Sequence, residues 1–178
     1  ANLLKAVSEI PGKFRIRFMT SHPKDLTEEV VDVIASSDKI MNNIHLPVQA
    51  GSDAVLKKMN RKYDRAHYLA LIDMIKAKLP GVGITTDIMV GFPTETEEDF
   101  LGTLDLVRKV RYSNAFTFIY SVRKGTVAAT MPQIDYQTKR RRITELIALQ
   151  NEITKELSEE YIGNVYEVLI EDVNKKYK

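Results

Sequence analysis

The stretch TTDIMVGFPTETEEDF, Thr85–Phe100, combines the pattern of a strand, a tight turn and the start of a helix. Residues 85–90 are β-branched and apolar apart from Asp87, a composition typical of a strand buried on both faces. Gly91 permits positive φ and Pro93 cannot continue a ladder of hydrogen bonds, so the strand is predicted to end there in a turn.

A helix is predicted directly after this turn. Thr94 and Glu97 have the spacing of a capping box, and Phe100, Leu104 and Val107 recur at helical intervals. The loop between strand and helix offers backbone amides and a helix N-terminus, where α/β proteins commonly bind ligands. The carboxylate in the preceding strand needs a polar partner if it is buried, and a ligand is one candidate.

The same alternation of strand and helix extends along the chain. Strands are predicted at 14–19, 43–48, 84–90 and 115–120. This order indicates the α/β class, with parallel strands joined by helical crossovers in either an open doubly wound sheet or an arc of a barrel. Four units are too few to close an eight-stranded barrel. Helices are predicted from Asp25 with Glu28 as caps, over about 53–59 and 65–79, and from about 137 to 161.

Both ends of the chain suggest a longer parent. Residues 1–10 resemble the end of an amphipathic helix, and residues 165–171 a strand with no later segment to pair with. We therefore expect both ends to be cut from a longer chain, with one sheet edge exposed and self-association as a consequence.

Composition limits the classes of function. With 178 residues, 44% of them hydrophobic and 28% charged, the chain is expected to be soluble and globular, and its net charge of +2 gives no indication of nucleic acid. The absence of a long apolar run and of a signal peptide favours a cytoplasmic protein without a membrane anchor. Having no cysteine and three scattered histidines, it lacks thiolate ligands and has little else to hold a transition metal.

Several polar residues fall at or near the carboxyl ends of the predicted strands, which parallel packing would gather on one rim. Ser52 is equally explained as a helix N-cap, and His22 as a turn residue with local hydrogen bonds. Asp87 and Gln49 are harder to explain in this way, because an apolar strand gains nothing from a carboxylate. The full set is His22, Gln49, Ser52, Asp87 and Ser121.

Four segments carry a family resemblance: HLPVQAGSD (45–53), MNRKY (59–63), TTDIMVGFPTETEEDF (85–100) and FTFIYSVRKGTVAATMP (116–132). In order and spacing the chain resembles the radical S-adenosylmethionine methylthiotransferases, above all the branch that methylthiolates isopentenyladenosine beside the tRNA anticodon. The resemblance implies a fragment of a partial, TIM-like (β/α) barrel with outer helices, the radical SAM fold. That portion would span 1–162, followed over 163–178 by a linker and the first strand of a TRAM-type RNA-binding β-barrel.

The resemblance also implies cofactors. The family uses S-adenosylmethionine and a [4Fe–4S] cluster, whose C-x-x-x-C-x-x-C loop this chain lacks, so the chain is expected to be catalytically incomplete by itself. Arg61 suits the carboxylate of S-adenosylmethionine, Asp87 its ribose hydroxyls and Gln49 its polar edges. A structural ion pair between Arg61 and Asp87 is the alternative. The implied cofactor-binding set is Gln49, Ser52, Arg61, Asp87, Met89, Gly91 and Tyr120.

An altered loop and two basic segments leave the function open. Residues 121–127 read SVRKGTV where the family usually has S-P-R-P-G-T-P, and the loss of three prolines predicts a looser loop. The basic segment 139–142 and the lysines and arginine of 57–62 are candidates for RNA phosphate contacts or for a solvated helix face. A nucleotide- or tRNA-binding α/β module without catalysis is therefore the alternative function.

Overall fold

The computed structural model describes residues 1–19, 22–168 and 170. Within this part of the chain no helix is long and apolar enough to cross a membrane. In chain order the elements are α1 (Asn2–Ser8), α2 (Glu28–Ala35), β1 (Asn43–His45), α3 (Asp53–Lys58), α4 (Arg65–Lys78), β2 (Gly83–Val90), α5 (Glu97–Val110), β3 (Asn114–Ile119), a 3₁₀ turn (Val127–Thr130) and α6 (Tyr136–Glu159).

The three strands form one parallel sheet in the order β1-β2-β3. The register places His45 beside Thr85 and Asp87 beside Phe116. Each parallel neighbour is reached through helices, since a parallel connection needs a crossover. The α/β class, the parallel pairing and the sequential order predicted from the sequence are confirmed.

The predicted strand at 14–19 is reduced to a single parallel bridge between Ile16 and Ile40. The Ile16 N–H donates to the Lys39 carbonyl at 2.7 Å, and the Ile16 carbonyl accepts from the Met41 N–H at 3.0 Å. The partner segment then bends, because the Met41 carbonyl accepts from the Asn43 N–H at 2.8 Å. A ladder cannot continue past this bend, so four predicted strands become three strands and a bridge.

Strand β1 is also shorter than predicted, because proline interrupts its ladder. Pro47 has no N–H to donate. The next amide, of Val48, donates to the Thr86 hydroxyl at 3.0 Å instead of to a backbone carbonyl. Backbone pairing resumes at Gln49, which forms a parallel bridge with Ile88.

The two faces of the sheet differ in burial. Along β2 the residues Ile84, Thr86, Ile88 and Val90 are buried, whereas the residues between them are only partly covered. Strand β2 is therefore not buried on both faces as predicted, because the described helices cover only one face. The other face carries Asp87, whose side chain is 29% exposed.

Helix α5 begins two residues later than predicted. Thr96 is its N-cap: the Thr96 hydroxyl accepts from the Asp99 N–H at 3.1 Å, and the Asp99 carboxylate accepts from the Thr96 N–H at 2.9 Å. Thr94, placed in the capping box by the sequence, has a φ of 68° and its hydroxyl accepts a hydrogen bond from Lys58. A left-handed residue does not have the extended geometry of an N-cap, so the prediction of Thr94 and Glu97 is wrong.

Helix α2 shows a similar shift at its start. Its N-cap position is Thr27, which makes no side-chain capping bond. Asp25 instead lies in a turn, where its N–H donates to the His22 carbonyl at 2.8 Å. The predicted cap by Asp25 and Glu28 is therefore wrong, because the turn displaces Asp25 from the helix end.

The predicted strand at 165–171 falls partly outside the described residues, which omit 169 and 171–178. Residues 165–168 and 170 belong to no strand, and Val165 is 99% exposed. Glu167 forms a surface ion pair with Arg15 at 3.1 Å. Within the part that is described, this segment makes no ladder with the sheet.

Aromatic side chains fix the centre of the core. Tyr68 and Tyr112 are fully buried, and the Tyr112 hydroxyl donates to the Tyr68 hydroxyl at 3.0 Å. The Tyr68 hydroxyl in turn donates to the Leu46 carbonyl at 2.8 Å. Burial raises the pKa of both tyrosines, so the phenols stay protonated and the chain of hydrogen bonds ties α4 to the segment that directly follows β1.

Candidate functional site

A cavity of about 540 Å³ lies at the carboxyl ends of β2 and β3. Its volume is within the range of small-molecule sites, and its position is the usual one for ligands in parallel β/α folds. A second cavity, of about 370 Å³, lies at the opposite ends of the strands, around Gly83 and Ser113. Of the predicted site residues, the first cavity brings together Gln49, Arg61, Asp87, Met89, Tyr120 and Ser121.

Gln49 enters this cavity from a strained backbone. Its φ is 70°, in the left-handed region. The Gln49 N–H donates to the Asp87 carbonyl at 2.8 Å, and its carbonyl accepts from the Met89 N–H at 2.9 Å. A non-glycine residue in this region costs about 1–3 kcal/mol and is found preferentially at functional sites. The two hydrogen bonds hold the strained conformation at the cavity wall.

Arg61 follows the turn that ends α3. Its N–H donates to the Leu56 carbonyl at 2.9 Å, after Asn60 reverses the chain with a φ of 57°. The Nε atom of Arg61 is buried and has no hydrogen-bond partner among the described residues. A buried guanidinium N–H without an acceptor is costly, so Arg61 offers this cavity a donor for an anionic or polar ligand.

Asp87 lies on the open face of the sheet and pairs with a histidine. Its Oδ1 is 3.5 Å from Nε2 of His45, whose Nδ1 lies 2.9 Å from the Thr85 hydroxyl. No ion pair joins Asp87 to Arg61, although both residues are described and line the same cavity. The alternative of a structural Arg61–Asp87 pair is therefore wrong.

Tyr120 is a second buried group without a partner. Its hydroxyl has no hydrogen-bond partner among the described residues. Its ring meets Phe92 edge to face at 5.3 Å, and Lys139 Nζ lies 5.2 Å from the ring centre. Packing thus fixes the ring while the hydroxyl remains available to a ligand.

Two predicted site residues, Ser52 and Gly91, lie outside the cavity lining. Ser52 is the N-cap residue of α3, but its hydroxyl donates to the Asp99 carboxylate rather than to its own helix. Gly91 has a φ of 73°, and a Cβ there would overlap the side-chain stem of Lys139. Both residues support the loops around the cavity instead of lining it.

His22, the other predicted rim residue, is a turn residue. Its Nδ1 accepts from the Lys24 N–H at 3.2 Å, and its ring packs edge to face on Tyr63 at 5.5 Å. It does not line the cavity at the strand ends. The interpretation of His22 as a locally bonded residue fits the structure.

The sequence did not reveal a buried ion pair beneath the turn after β2. Arg142 Nη1 lies 2.8 Å from Glu95 Oε2, and the latter oxygen also accepts from the Gly91 N–H at 2.7 Å. Burial raises the pKa of the Glu95 carboxyl, against the opposing effects of these two donors. The pair anchors α6 to the loop that borders the cavity.

The prediction that residues 139–142 form one exposed basic surface is wrong. Lys139 and Arg142 are buried, whereas Arg140 and Arg141 are exposed. The signal that could have shown this is spacing, since Lys139 and Arg142 share a helix face with the buried Leu146.

Eight further lining residues were not among the predicted site residues: Lys58, Met59, Phe92, Phe118, Ile119, Arg123, Thr126 and Ala128. The Thr126 hydroxyl donates to the Arg123 carbonyl at 2.8 Å, and Gly125 has a φ of 82°. A turn thus forms in the loop that lacks the family's prolines. The alternation of FTFIY could have identified Phe118, because it shares a face with the neighbouring Phe116.

The comparison with protein families identifies the class. The family model described as "Radical SAM superfamily" matches residues 1–107, more than half of the chain. The chain therefore belongs to the radical SAM superfamily.

Two curated relatives of this chain share one name. It is 56% identical over 177 residues to the tRNA-2-methylthio-N(6)-dimethylallyladenosine synthase of Thermoanaerobacter pseudethanolicus, covering 99% of this chain and 38% of the relative. It is also 56% identical over 176 residues to the protein of that name from Carboxydothermus hydrogenoformans, covering 98% of this chain and 40% of the relative. The chain thus spans well under half of the curated relatives that it matches.

One solved structure supports the fold. Coproporphyrinogen III oxidase from Escherichia coli, described as a radical SAM enzyme, matches with a TM-score of 0.63 and 21% sequence identity. The match covers 75% of this chain and 31% of that chain. At this identity the likeness concerns the fold alone, and it agrees with a parallel sheet covered by helices.

Proposed function

We propose that the cavity at the strand ends binds S-adenosylmethionine. We further propose that the chain is part of a radical SAM methylthiotransferase that makes 2-methylthio-N(6)-dimethylallyladenosine in tRNA, the product in its relatives' names. The observation that carries this proposal is the buried, unpartnered Nε of Arg61, which lines the same cavity as Asp87 at the carboxyl ends of the strands. Because tRNA is the proposed substrate, the cytoplasm is the proposed location.

The donor set fits the chemistry of this cofactor. Arg61 would hold the carboxylate, since a guanidinium binds carboxylates with paired N–H groups. Asp87 would accept from the ribose hydroxyls, and Gln49 would meet the remaining polar edges. Met89, partly exposed beside Asp87, offers a polarizable contact for the adenine. The role of these residues is to bind and orient the cofactor.

The residues present do not fit a [4Fe–4S] cluster, because the chain contains no cysteine. Bound S-adenosylmethionine supplies a methyl group and, in radical SAM enzymes, the source of radical chemistry. In isolation this chain would therefore correspond to the second candidate function, a binding module without catalysis. The remaining residues, 163–178, are proposed to lead into an RNA-binding β-barrel.

Calorimetric titration with S-adenosylmethionine tests the cofactor site. The variants Arg61→Ala and Asp87→Asn should each weaken binding by about 1–3 kcal/mol, the cost of losing a hydrogen bond to a charged group. Arg108→Ala, at an exposed position in the last turn of α5, is the matched control and should bind as the parent does. Unchanged affinity in both site variants, accompanied by a large loss of stability, would show that these residues are only structural.

A further inference from the structure

We propose that the open face of the sheet is a nucleobase platform, on which Phe116 and Phe118 stack an unpaired base of RNA. This inference deepens the proposed function, on which it rests, by assigning residues to the substrate base rather than to the cofactor. The platform does not depend on Arg61, the proposed cofactor ligand, so the platform and the cofactor site can be tested separately.

The two phenylalanines are exposed on the same face of β3. Phe116 is 51% exposed and Phe118 is 50% exposed. They are two residues apart, so both side chains leave the strand on one side. The register places Phe116 beside Asp87 and Phe118 beside Met89. Two half-exposed rings in adjacent positions form an apolar patch, which on a soluble domain indicates a binding surface.

The spacing of these rings suits a flat ligand. Residues two apart in a parallel strand are separated by about 6.6 Å. This is close to twice the separation of about 3.4 Å between stacked bases, so one planar base fits beside or between the rings. Sheets in RNA-binding domains use exposed aromatic side chains in this way.

Polar groups that could contact a base edge lie next to the rings. The ring centres of His45 and Phe116 are 5.9 Å apart, and His45 Nε2 lies 3.5 Å from Asp87. Asn43 and Asn114 line a cavity of about 360 Å³ that His45 and Phe116 also line. Imidazole and amide groups together supply the donors and acceptors that hydrogen-bond to base edges.

The charges around the platform favour a polyanion. The chain as a whole is nearly balanced, with 26 lysines and arginines against 24 acidic residues. Apart from Arg61, which is assigned to the cofactor, the described lining of the two cavities on this face instead holds three cations and one carboxylate, Asp87. The three cations are Arg17, Lys58 and Arg123.

This charge pattern selects one occupant. A neutral or basic protein segment covering the two rings would bury uncompensated cations, whereas an RNA strand would place phosphates against them. Aromatic rings within a cationic groove are the usual means of binding single-stranded nucleic acid. The structure therefore points to an unpaired RNA base.

Fluorescence titration tests the platform. The probe is a single-stranded RNA heptamer with 2-aminopurine at its centre, whose emission falls when the base stacks on an aromatic ring. Binding to the chain should quench it saturably, and Phe116→Leu and Phe118→Leu should each weaken binding about fivefold or more, since stacking contributes about 1–3 kcal/mol per base. Tyr161→Leu is the matched control, because Tyr161 is a 56% exposed aromatic residue away from this face and should bind normally.

Three results would overturn the platform. One is no saturable quenching, and another is equal binding by all variants, which indicates phosphate contacts alone. If sedimentation shows that the phenylalanine variants abolish a dimer instead of RNA binding, a second copy is the occupant and the proposal is wrong. The cofactor site and the platform can fail separately. If the parent chain quenches the RNA probe but Arg61→Ala leaves the affinity for S-adenosylmethionine unchanged, the cofactor site is refuted and the platform is retained.

Discussion

Arg142 on α6 and Glu95 in the turn after β2 form an ion pair at 2.8 Å, with side chains that are 5% and 0% exposed. Because Glu95 also accepts the Gly91 N–H, the pair fixes the turn that borders the cavity. The shape of the candidate site thus depends on a helix more than forty residues further along the chain.

Breaking this pair should destabilise the protein strongly. Arg142→Met leaves the Glu95 carboxylate buried without its partner, and we expect the free energy of unfolding to fall by about 3–5 kcal/mol. Arg141→Met is the control: the Arg141–Glu97 pair is 49% and 51% exposed, and its loss should cost less than about 1 kcal/mol. Urea denaturation followed by circular dichroism measures both. Equal losses would show that burial of the pair has no special role.

The turn itself should not tolerate a side chain at Gly91. Gly91→Ala introduces both left-handed strain and an overlap with Lys139, whereas Gly81→Ala introduces strain alone, because Gly81 has a φ of 71° and open space around it. We expect Gly81→Ala to cost about 1–2 kcal/mol and Gly91→Ala clearly more. Thermal melts of the two variants give the comparison. An equal fall in Tm would mean that Lys139 moves aside freely.

Asp99 should make stability depend on pH. Burial favours its protonated form, but hydrogen bonds from Ser52 and Thr96 outweigh this effect and lower the pKa of Asp99. A lowered folded-state pKa adds stability above about pH 4, and that contribution disappears as the pH falls through the folded-state pKa. Asp99→Asn should therefore cost about 1 kcal/mol at pH 7 and much less near pH 3.

Melting curves between pH 3 and pH 7 measure this difference. Glu98→Gln, at an exposed position in the same helical turn, is the control and should show little change in either condition. A constant difference between Asp99→Asn and the parent across this range would rule out the assigned role of the carboxylate.

Local patterns predicted most of the fold. The helix over Arg65–Lys78 and strand β2 follow from apolar periodicity and from glycine and proline at their ends. The errors in strand length arose where a single contact ended a ladder. The bend at Met41 stops the pairing of Ile16, and the Thr86 hydroxyl accepts from the amide that follows Pro47. Such contacts join distant segments, so no local pattern shows them.

The sequence predicted the polar residues of the candidate site but not the buried ion pair that holds the neighbouring loop. Gln49, Arg61 and Asp87 do line one cavity, as parallel topology requires of residues near carboxyl strand ends. The burial of Arg142 was missed, because a lysine- and arginine-rich helix face usually faces solvent. Its partner Glu95 lies in another element, and only the tertiary structure pairs them.

The most direct test of the cofactor site is nuclear magnetic resonance of the chain with ¹³C-labelled methionine methyl groups, titrated with S-adenosylmethionine. Met59 and Met89 line the cavity, whereas Met41 and Met74 do not. If the cavity is the site, the Met59 and Met89 signals should shift saturably, and Arg61→Ala should move the midpoint to higher concentration. Shifts confined to Met41 or Met74, or no shift of Met59 and Met89 at saturating cofactor, would contradict the proposed site.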